Sequence, residues 1–445
     1  MKQAIVIFTR VPEAGSTKTR MMPHLTPAQC EKLHSCFLKD IRTQCEACDA
    51  DIFVCYTPDE ENGKKKLVSI LGEQTGYFPQ QGENLGEKMY LAIETVLAKG
   101  YGKCILIGTD IPEMRKTFLD WAFQLLEEKD VVFGKTVDGG YYLIGMKKPY
   151  REAFGLLTYG HSHVLEETTR ILRQKNLKVG YTNILEDMDV PEDLRGFRRR
   201  MRGRKELRES ETGKYLAKIA RISIIIPTYN EESTIEELQD QLEDLRGKCE
   251  ILFVDGGSKD DTLKLLRPEY HVIHGGKGRA RQMNAGAKAS HGDILFFLHC
   301  DSELPTKPLA EIRRVMKYHE AGCFGIAFHS WNFFMWTCRV ISNHRIKDRK
   351  VMFGDQGIFV DRDLFFEAGM FPEIPIMEDY QFSLTLKEMG IRLGMAKKRI
   401  YTSDRRFPKG TIPKLRVMWK MNRLRKMYRD GVNIEKIADM YQDVR

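Results

Sequence analysis

Two apolar runs that each end in a carboxylate do most to limit the fold. Ile105-Leu106-Ile107-Gly108-Thr109-Asp110 and Leu295-Phe296-Phe297-Leu298-His299-Cys300-Asp301 read as buried strands carrying an acid at the C-terminal end. A strand apolar on both faces needs helices on both sides of its sheet, and each half of the chain supplies them. In the first half, strand-like runs at 4–8, 51–56, 104–108, 130–133 and 141–145 alternate with helical patterns at 27–45, 85–98 and 116–127. In the second, strands at 222–226, 250–254, 271–273, 294–298 and 357–360 alternate with helices at 232–245, 279–289 and 309–320. Alternation of this kind predicts α/β domains with mainly parallel sheets. Each half also sets an Asp beside Gly just before a strand, in Asp138-Gly139-Gly140-Tyr141 and Asp355-Gln356-Gly357-Ile358. The halves therefore read as two diverged copies of one nucleotide-binding fold. The expected boundaries are a first domain at 1–195, a basic linker at 196–221 and a second domain at 222–445.

Charge narrows the partners. The chain of 445 residues has 71 Lys+Arg against 62 Asp+Glu, a net charge of +9. The excess is local: 195–221 holds eleven basic and three acidic residues, and 397–429 holds thirteen basic and one acidic. The rest is acidic, which is not the pattern of a nucleic-acid binder. Two basic zones on an acidic body point to phosphate groups or an anionic membrane surface. No apolar run approaches the roughly 18 residues of a membrane span. Ten cysteines without framework spacing suit a reducing cytoplasm, and the lone Cys45–Cys48 pair reads as two thiols on a helix. The expected location is the cytoplasm, with peripheral membrane contact left open.

The second half carries the most specific motifs. Pro227-Thr228-Tyr229-Asn230-Glu231 follows its first strand, and Asp255-Gly256-Gly257-Ser258 its second. Ligands of open α/β sheets bind at these strand ends. There Asp255 is placed to accept hydrogen bonds from a ribose or base, and Gly256 lets the backbone approach. With 298–301 and Met377-Glu378-Asp379, in this order, they resemble the family 2 nucleotide-sugar glycosyltransferases of GT-A fold. Residues 278–287 (with Arg279, Arg281 and Asn284), His299-Cys300-Asp301, Gly354-Asp355-Gln356-Gly357 and 402–407 (with Arg405 and Arg406) resemble one branch of that family, the second selenium-associated transferases. That branch includes selenosugar synthases, which couple a UDP-sugar to selenophosphate. The resemblance implies a UDP-sugar donor, an anionic or hydroxyl acceptor, and inversion at the anomeric carbon. It makes Asp379 the general base, and Pro227, Tyr229, Glu231, Asp255, Asp355 and Gln356 substrate contacts. Most family members hold Mn²⁺ or Mg²⁺ with Asp-x-Asp; here His299 replaces the first Asp and leaves Asp301. Imidazole suits Mn²⁺ better than Mg²⁺, and Arg405, Arg406 and Lys409 offer charge to the diphosphate without a metal.

The first half offers a second set. Gly15, Lys18 and Arg20 lie in the loop after the first strand, without the spacing of a P-loop. Gln81-Gly82-Glu83-Asn84, Gly108-Thr109-Asp110, 137–142 and Asp187-Met188-Asp189 follow in order. These resemble the first selenium-associated transferases, relatives of nucleotidyltransferases. The resemblance makes Asp110 and Asp189 a metal-binding pair and assigns Asp138 and Gly139 to the substrate. The whole chain is thus expected to be two GT-A domains, Rossmann-like and of nucleotide-diphospho-sugar transferase type, in tandem. Beside the second site, the aromatic stretch 331–341 and the basic, apolar stretch 413–428 read as an acceptor-side lid or as interfacial helices. A glycosyltransferase, a nucleotidyltransferase feeding the second domain, a transferase with a lipid-linked acceptor and a non-catalytic nucleotide-binding scaffold all remain compatible with the residues.

Overall fold

The computed structural model describes residues 2–22, 24–156, 162–329, 333–348, 350–402 and 411–442. The chain divides into two compact units, Met1–Leu216 and Ala217–Arg445.

The first unit is built on seven strands: β1 (Gln3–Arg10), β2 (Asp51–Thr57), β3 (Gly76–Pro79), β4 (Lys103–Ile107), β5 (Val131–Thr136), β6 (Tyr141–Met146) and β7 (Val179–Leu185), in the order β3-β2-β1-β4-β6-β5-β7. The first four pair in parallel; β6 runs antiparallel to β4 and β5, and β7 is parallel to β5. Strand alternation sorts the core into two layers. Ile5 and Ile7 pack with Leu38, Ile41, Leu119 and Phe123 on one face, and Ala4 and Val6 with Met89 and Ile93 on the other.

The second unit repeats this plan with β8 (Ile222–Thr228), β9 (Glu250–Asp255), β10 (His271–His274), β11 (Ile294–Phe297), β12 (Ser302–Glu303), β13 (Ala321–Ala327), β14 (Ile358–Asp361) and β15 (Leu393–Thr402). Its order is β10-β9-β8-β11-β14-β13-β15-β12. The antiparallel strand again follows the parallel block, as β14 against β11 and β13, and β15 is parallel to β13. Only the short edge strand β12 has no counterpart. Ile224 and Ile226 face Leu238, Leu242 and Ile312, while Ile225 faces Ala280, Met283 and Ala287.

Both sheets are therefore mainly parallel, as expected, with β6 the reversed strand of the first and β14 and β12 those of the second. β3, β7, β12, β13 and β15 were not expected from the sequence. β13 (AGCFGIA) has two glycines, and β15 carries three consecutive basic residues, so neither shows strand propensity or clean alternation. Residues 196–221 also differ from the solvated linker expected. They contribute to helices Pro191–Gly203, Lys205–Glu209 and Glu211–Ile219, with Phe197, Met201, Leu207 and Leu216 buried. Part of their charge is paired within the first unit: Arg200 and Arg204 both hold the buried Glu113, at 2.6 and 2.9 Å. Cys45 is buried and Cys48 donates to the Gln44 carbonyl at 3.4 Å. Burial raises both thiols, Cys48 to about 11, which keeps them protonated and unreactive.

Candidate functional sites

In the first unit, the C-terminal ends of β1, β2 and β4 surround a cleft of about 650 Å³. Lys18, in the left-handed region (φ 53°), turns its side chain into this cleft. Its Nζ donates to the Met188 carbonyl and to Asp189 Oδ1, both at 2.7 Å, and forms an ion pair with Asp110. The ammonium also lies 5.2 Å from the Phe37 ring centroid. The backbone ties these loops together through Met188 N–H donating to Asp110 O at 2.9 Å. The expected carboxylate pair is thus brought to one point, and a lysine already bridges it. Burial opposes the charge on Lys18, but Asp110 and Asp189 outweigh it and hold the ammonium above its ordinary range. Partial burial likewise opposes ionisation of Asp110, yet Lys18 and His34 hold its carboxyl below the usual range.

Beneath the carboxylates lies a polar group that sequence reasoning missed. Thr9 Oγ1 meets His34 Nε2 at 3.2 Å and Thr109 Oγ1 at 3.3 Å, all buried. Burial pushes His34 down to about 4, so it is neutral near pH 7. The available signal was a single histidine on the apolar face of a helix. Gly15 and Arg20 are exposed in the loop that carries Lys18.

Asp138 accepts from Gly140 N–H at 3.0 Å, closing its own turn. Gly139 lines a different cleft, of about 730 Å³, with Lys135, Arg170 and Arg173. Its φ is +93°, and a Cβ there would lie 1.9 Å from Ser162 O, so no other residue fits. Burial, with Asp138 and Asp189 nearby, raises Asp187 to about 6.

In the second unit, the loops after β8 and β9 are laced together. Asn230 N–H donates to Ser258 Oγ at 3.0 Å, Lys259 N–H to Asn230 Oδ1 at 2.8 Å, and Glu231 N–H to Thr262 Oγ1 at 2.7 Å. Asp255 is only 2% exposed and accepts from Gly257 N–H at 2.8 Å and Ser258 N–H at 3.1 Å. Burial opposes its charge, but these bonds and His274 hold its carboxyl low. In this structure Asp255 therefore shapes the loop rather than presenting a free acceptor. Gln282, another residue missed, joins the strand ends by donating to Thr228 O and Val254 O at 2.7 and 2.8 Å. A Cβ on Gly256 would sit 3.0 Å from its amide. Tyr229 is left exposed beside Lys277, whose Nζ is 5.6 Å from the ring centroid. Glu231 accepts from Thr234 Oγ1 at 2.9 Å, and Pro227 O lies 3.5 Å from Cys300 Sγ.

Gly354 brings the other motifs together. Its N–H donates to Asp379 Oδ2 at 2.7 Å, and a Cβ there would meet His299 Nε2 at 2.8 Å. His299 and Asp379, read from separate motifs, thus flank one backbone position. Asp379 Oδ1 accepts from Tyr380 N–H at 2.7 Å, at the start of helix Glu378–Glu388. The buried Glu378 pairs with Arg279; burial opposes that guanidinium's charge, and Glu378 and Asp379 raise its pKa nonetheless. Arg281 pairs with Glu373 at 2.9 Å.

Other expected contacts are used inside the fold. Asn284 clamps the backbone of Phe371, donating to O at 2.8 Å and accepting from N–H at 3.1 Å. Gln356 is buried and accepts from Phe353 N–H at 3.1 Å. Asp355 lies close enough to act electrostatically on Arg425. Asp301 is partly exposed in the loop between β11 and β12. Arg405, Arg406 and Lys409 lie outside the described residues, as does Trp331. Among the described residues no three His, Cys, Asp or Glu side chains group as a metal site would. None of their helices is long and apolar enough to cross a membrane.

Two family models match the chain, one in each unit. Residues 223–373 match glycosyl transferase family 2, and residues 41–161 match "uncharacterized protein conserved in bacteria (DUF2064)". Among curated relatives, undecaprenyl-phosphate 4-deoxy-4-formamido-L-arabinose transferase from Photorhabdus laumondii is 30% identical over 117 residues, 23% of this chain and 35% of that protein. The transferase of the same name from Yersinia enterocolitica is 32% identical over 118 residues, 24% of this chain and 35% of its own. The chain spans about a third of the length of these relatives. Among solved structures, one provisionally assigned as a nucleotide-diphospho-sugar transferase, from Desulfovibrio desulfuricans, is 29% identical, covers 49% of this chain and 95% of its own, and has a TM-score of 0.47. The shared strand order makes the two units GT-A-like α/β domains in tandem, and the second matches glycosyl transferase family 2 over residues 223–373.

Proposed function

We propose that the second unit transfers a sugar from a UDP-sugar to an acceptor bearing an anionic or hydroxyl nucleophile, with inversion. The observation that carries this reading is the meeting of His299 and Asp379 at Gly354, beside strand-end loops locked into one arrangement. Tyr229 and the backbone of 255–258 receive the nucleoside. Asp301 and His299 would hold a divalent ion, a donor set that suits Mn²⁺ better than Mg²⁺. When bound, that ion neutralises charge on the departing diphosphate. Asp379 takes the proton of a hydroxyl acceptor; an acceptor already anionic needs no base.

The acceptor has two readings. The selenosugar-synthase resemblance favours selenophosphate. The curated relatives, transferases named for undecaprenyl phosphate, favour a lipid-linked phosphate used by a cytoplasmic protein at the membrane surface. The first unit we read as nucleotidyltransferase-like. Its two carboxylates converge on Lys18 Nζ, and an all-oxygen pair of this kind fits Mg²⁺ or Mn²⁺.

The test is mass spectrometry of products after incubating the full chain with a panel of UDP-sugars and acceptors, selenophosphate and polyprenyl phosphate included. A sugar adduct with release of UDP is expected. Binding of UDP without turnover on any acceptor would leave the scaffold reading in its place. Calorimetry should show UDP bound more tightly than UMP, with a Mn²⁺ dependence that Asp301→Ala removes.

A further inference from the structure

A cleft of about 490 Å³ in the second unit is used by none of the groups above. Its lining comes from two helices, Phe333–Asp348 and Thr411–Arg429: Val340, Ile341, His344 and Asp348 from the first, Asn422, Arg425 and Arg429 from the second. Three features set it apart from a solvated surface groove.

First, its cations are held in place. The Arg425 guanidinium lies 4.4 Å from the Phe353 ring centroid, and Phe353 stacks on Tyr380 at 6.0 Å. Arg429 donates to Tyr380 OH at 3.3 Å. Second, its charge is unbalanced on the cleft side. The only carboxylate among the described lining residues, Asp348, pairs with His344 at 3.7 Å. Arg425 donates to the neutral amide of Asn422 at 3.3 Å, and its Nε is buried with no partner among the described residues. A buried guanidinium donor left unmatched is costly. Third, the cleft adjoins the reacting groups. Phe353 precedes Gly354, whose N–H Asp379 accepts, and Tyr380 follows Asp379. Asp355 and Asp379 both act electrostatically on Arg425.

We propose that this cleft binds the phosphate-type anion of the acceptor, clamped by Arg425 and Arg429, with Val340 and Ile341 against its carbon portion. Two planar guanidiniums match phosphate oxygens in geometry as well as charge. The proposal rests on the glycosyltransferase reading and assigns the acceptor's place within it. A soluble phosphate-bearing acceptor and a lipid phosphate present the same group to these residues. The exposed Trp419, with Arg423 5.7 Å from its ring centroid, lies on the same helix.

The experiment titrates inorganic phosphate into the full chain by calorimetry with UDP saturating, so that the donor site is filled. Arg429→Gln should weaken phosphate binding at least tenfold, and Lys317→Gln, a control on another element, should not change it. Arg425→Gln should act in the same direction. Should that variant misfold, Arg429→Gln decides alone, because Arg429 is exposed. Co-sedimentation with phosphatidylglycerol and phosphatidylcholine vesicles then separates the sources. Binding to the anionic vesicles that Arg429→Gln abolishes supports a lipid phosphate. Arg429-dependent phosphate binding without vesicle binding supports a soluble acceptor. Equal phosphate affinity in wild type and Arg429→Gln, with UDP bound normally by both, overturns the cleft proposal alone. Failure of wild type to bind UDP overturns the donor reading instead.

Discussion

Replacing Asp379 by Asn is the natural test of a general base, but here it changes more than proton affinity. Both carboxylate oxygens accept backbone N–H groups at 2.7 Å, one from Gly354 and one from Tyr380. Asparagine has one acceptor oxygen, so one of these N–H groups would face an NH₂. Hydrogen bonds to a charged group contribute about 1.5–3 kcal/mol. Losing one, with the charge removed from the other, should cost about 2 kcal/mol. In a unit of this size that lowers its melting transition by roughly 4–8 °C. If Asp379 is also the base, transfer to a hydroxyl acceptor should fall by about 10²–10⁴, and transfer to an anionic acceptor much less. The assay pairs calorimetric melting with transfer kinetics across pH 6–9 at saturating donor, with UDP affinity as the folding control. Unchanged melting would refute the structural argument. Melting lowered as expected with transfer intact on every acceptor would place the base elsewhere. Equal thousandfold losses on both acceptor classes would make Asp379 a residue that positions Gly354 and His299.

Other outcomes follow from the same structure. Lys18→Gln leaves Asp110 and Asp189 facing each other; melting of the first unit should fall by about 2 kcal/mol, and millimolar MnCl₂ should restore it, whereas metal-insensitive melting would remove the cation site. His34 titrates near 4 when folded and near 6.5 when unfolded. Its neutral form therefore stabilises the fold fully above pH 6.5, and that contribution is lost as pH falls towards 4. Chemical denaturation of wild type and His34→Gln should diverge over that window by about 3 kcal/mol, and parallel pH profiles would refute the assignment. Asp110→Ala should leave sugar transfer from supplied UDP-sugar largely intact and Asp301→Ala should cripple it; loss in both, with normal folding, would mean a shared donor site.

What the sequence made legible was the acids, not their partners. Strand-end motifs placed Asp110, Asp255 and Asp301 at or just past the ends of β4, β9 and β11, because a buried apolar run followed by an acid has few other uses in an α/β fold. The partners lie far along the chain. Lys18 meets Asp189 across 171 positions, Asn284 meets Phe371 across 87, and Gly354 meets Asp379 across 25. No local pattern announces such pairs. β13 and β15 were missed for a related reason: the glycines of β13 are tolerated by burial and pairing that only the assembled sheet provides, and Lys397 and Lys398 of β15 fall where its register with β13 shifts.

The two sheets sharpen this point, since they share strand order and direction while their sites differ in charge. After the first strand of the first sheet stands Lys18, a cation that bridges two carboxylates. After the first strand of the second stand Tyr229 and Glu231, and the strand corresponding to β4 leads into His299 and the buried thiol of Cys300. A cation built into the first cleft competes with a metal for Asp110 and Asp189. Among the described residues, the strand-end loops of the second unit have no lysine bridging two carboxylates; Lys277 lies beside Tyr229, and Arg279 and Arg425 stand on flanking helices. A shared strand order thus presents a carboxylate–ammonium centre in one unit and an imidazole–guanidinium surround in the other. The fold alone cannot carry one chemistry to both.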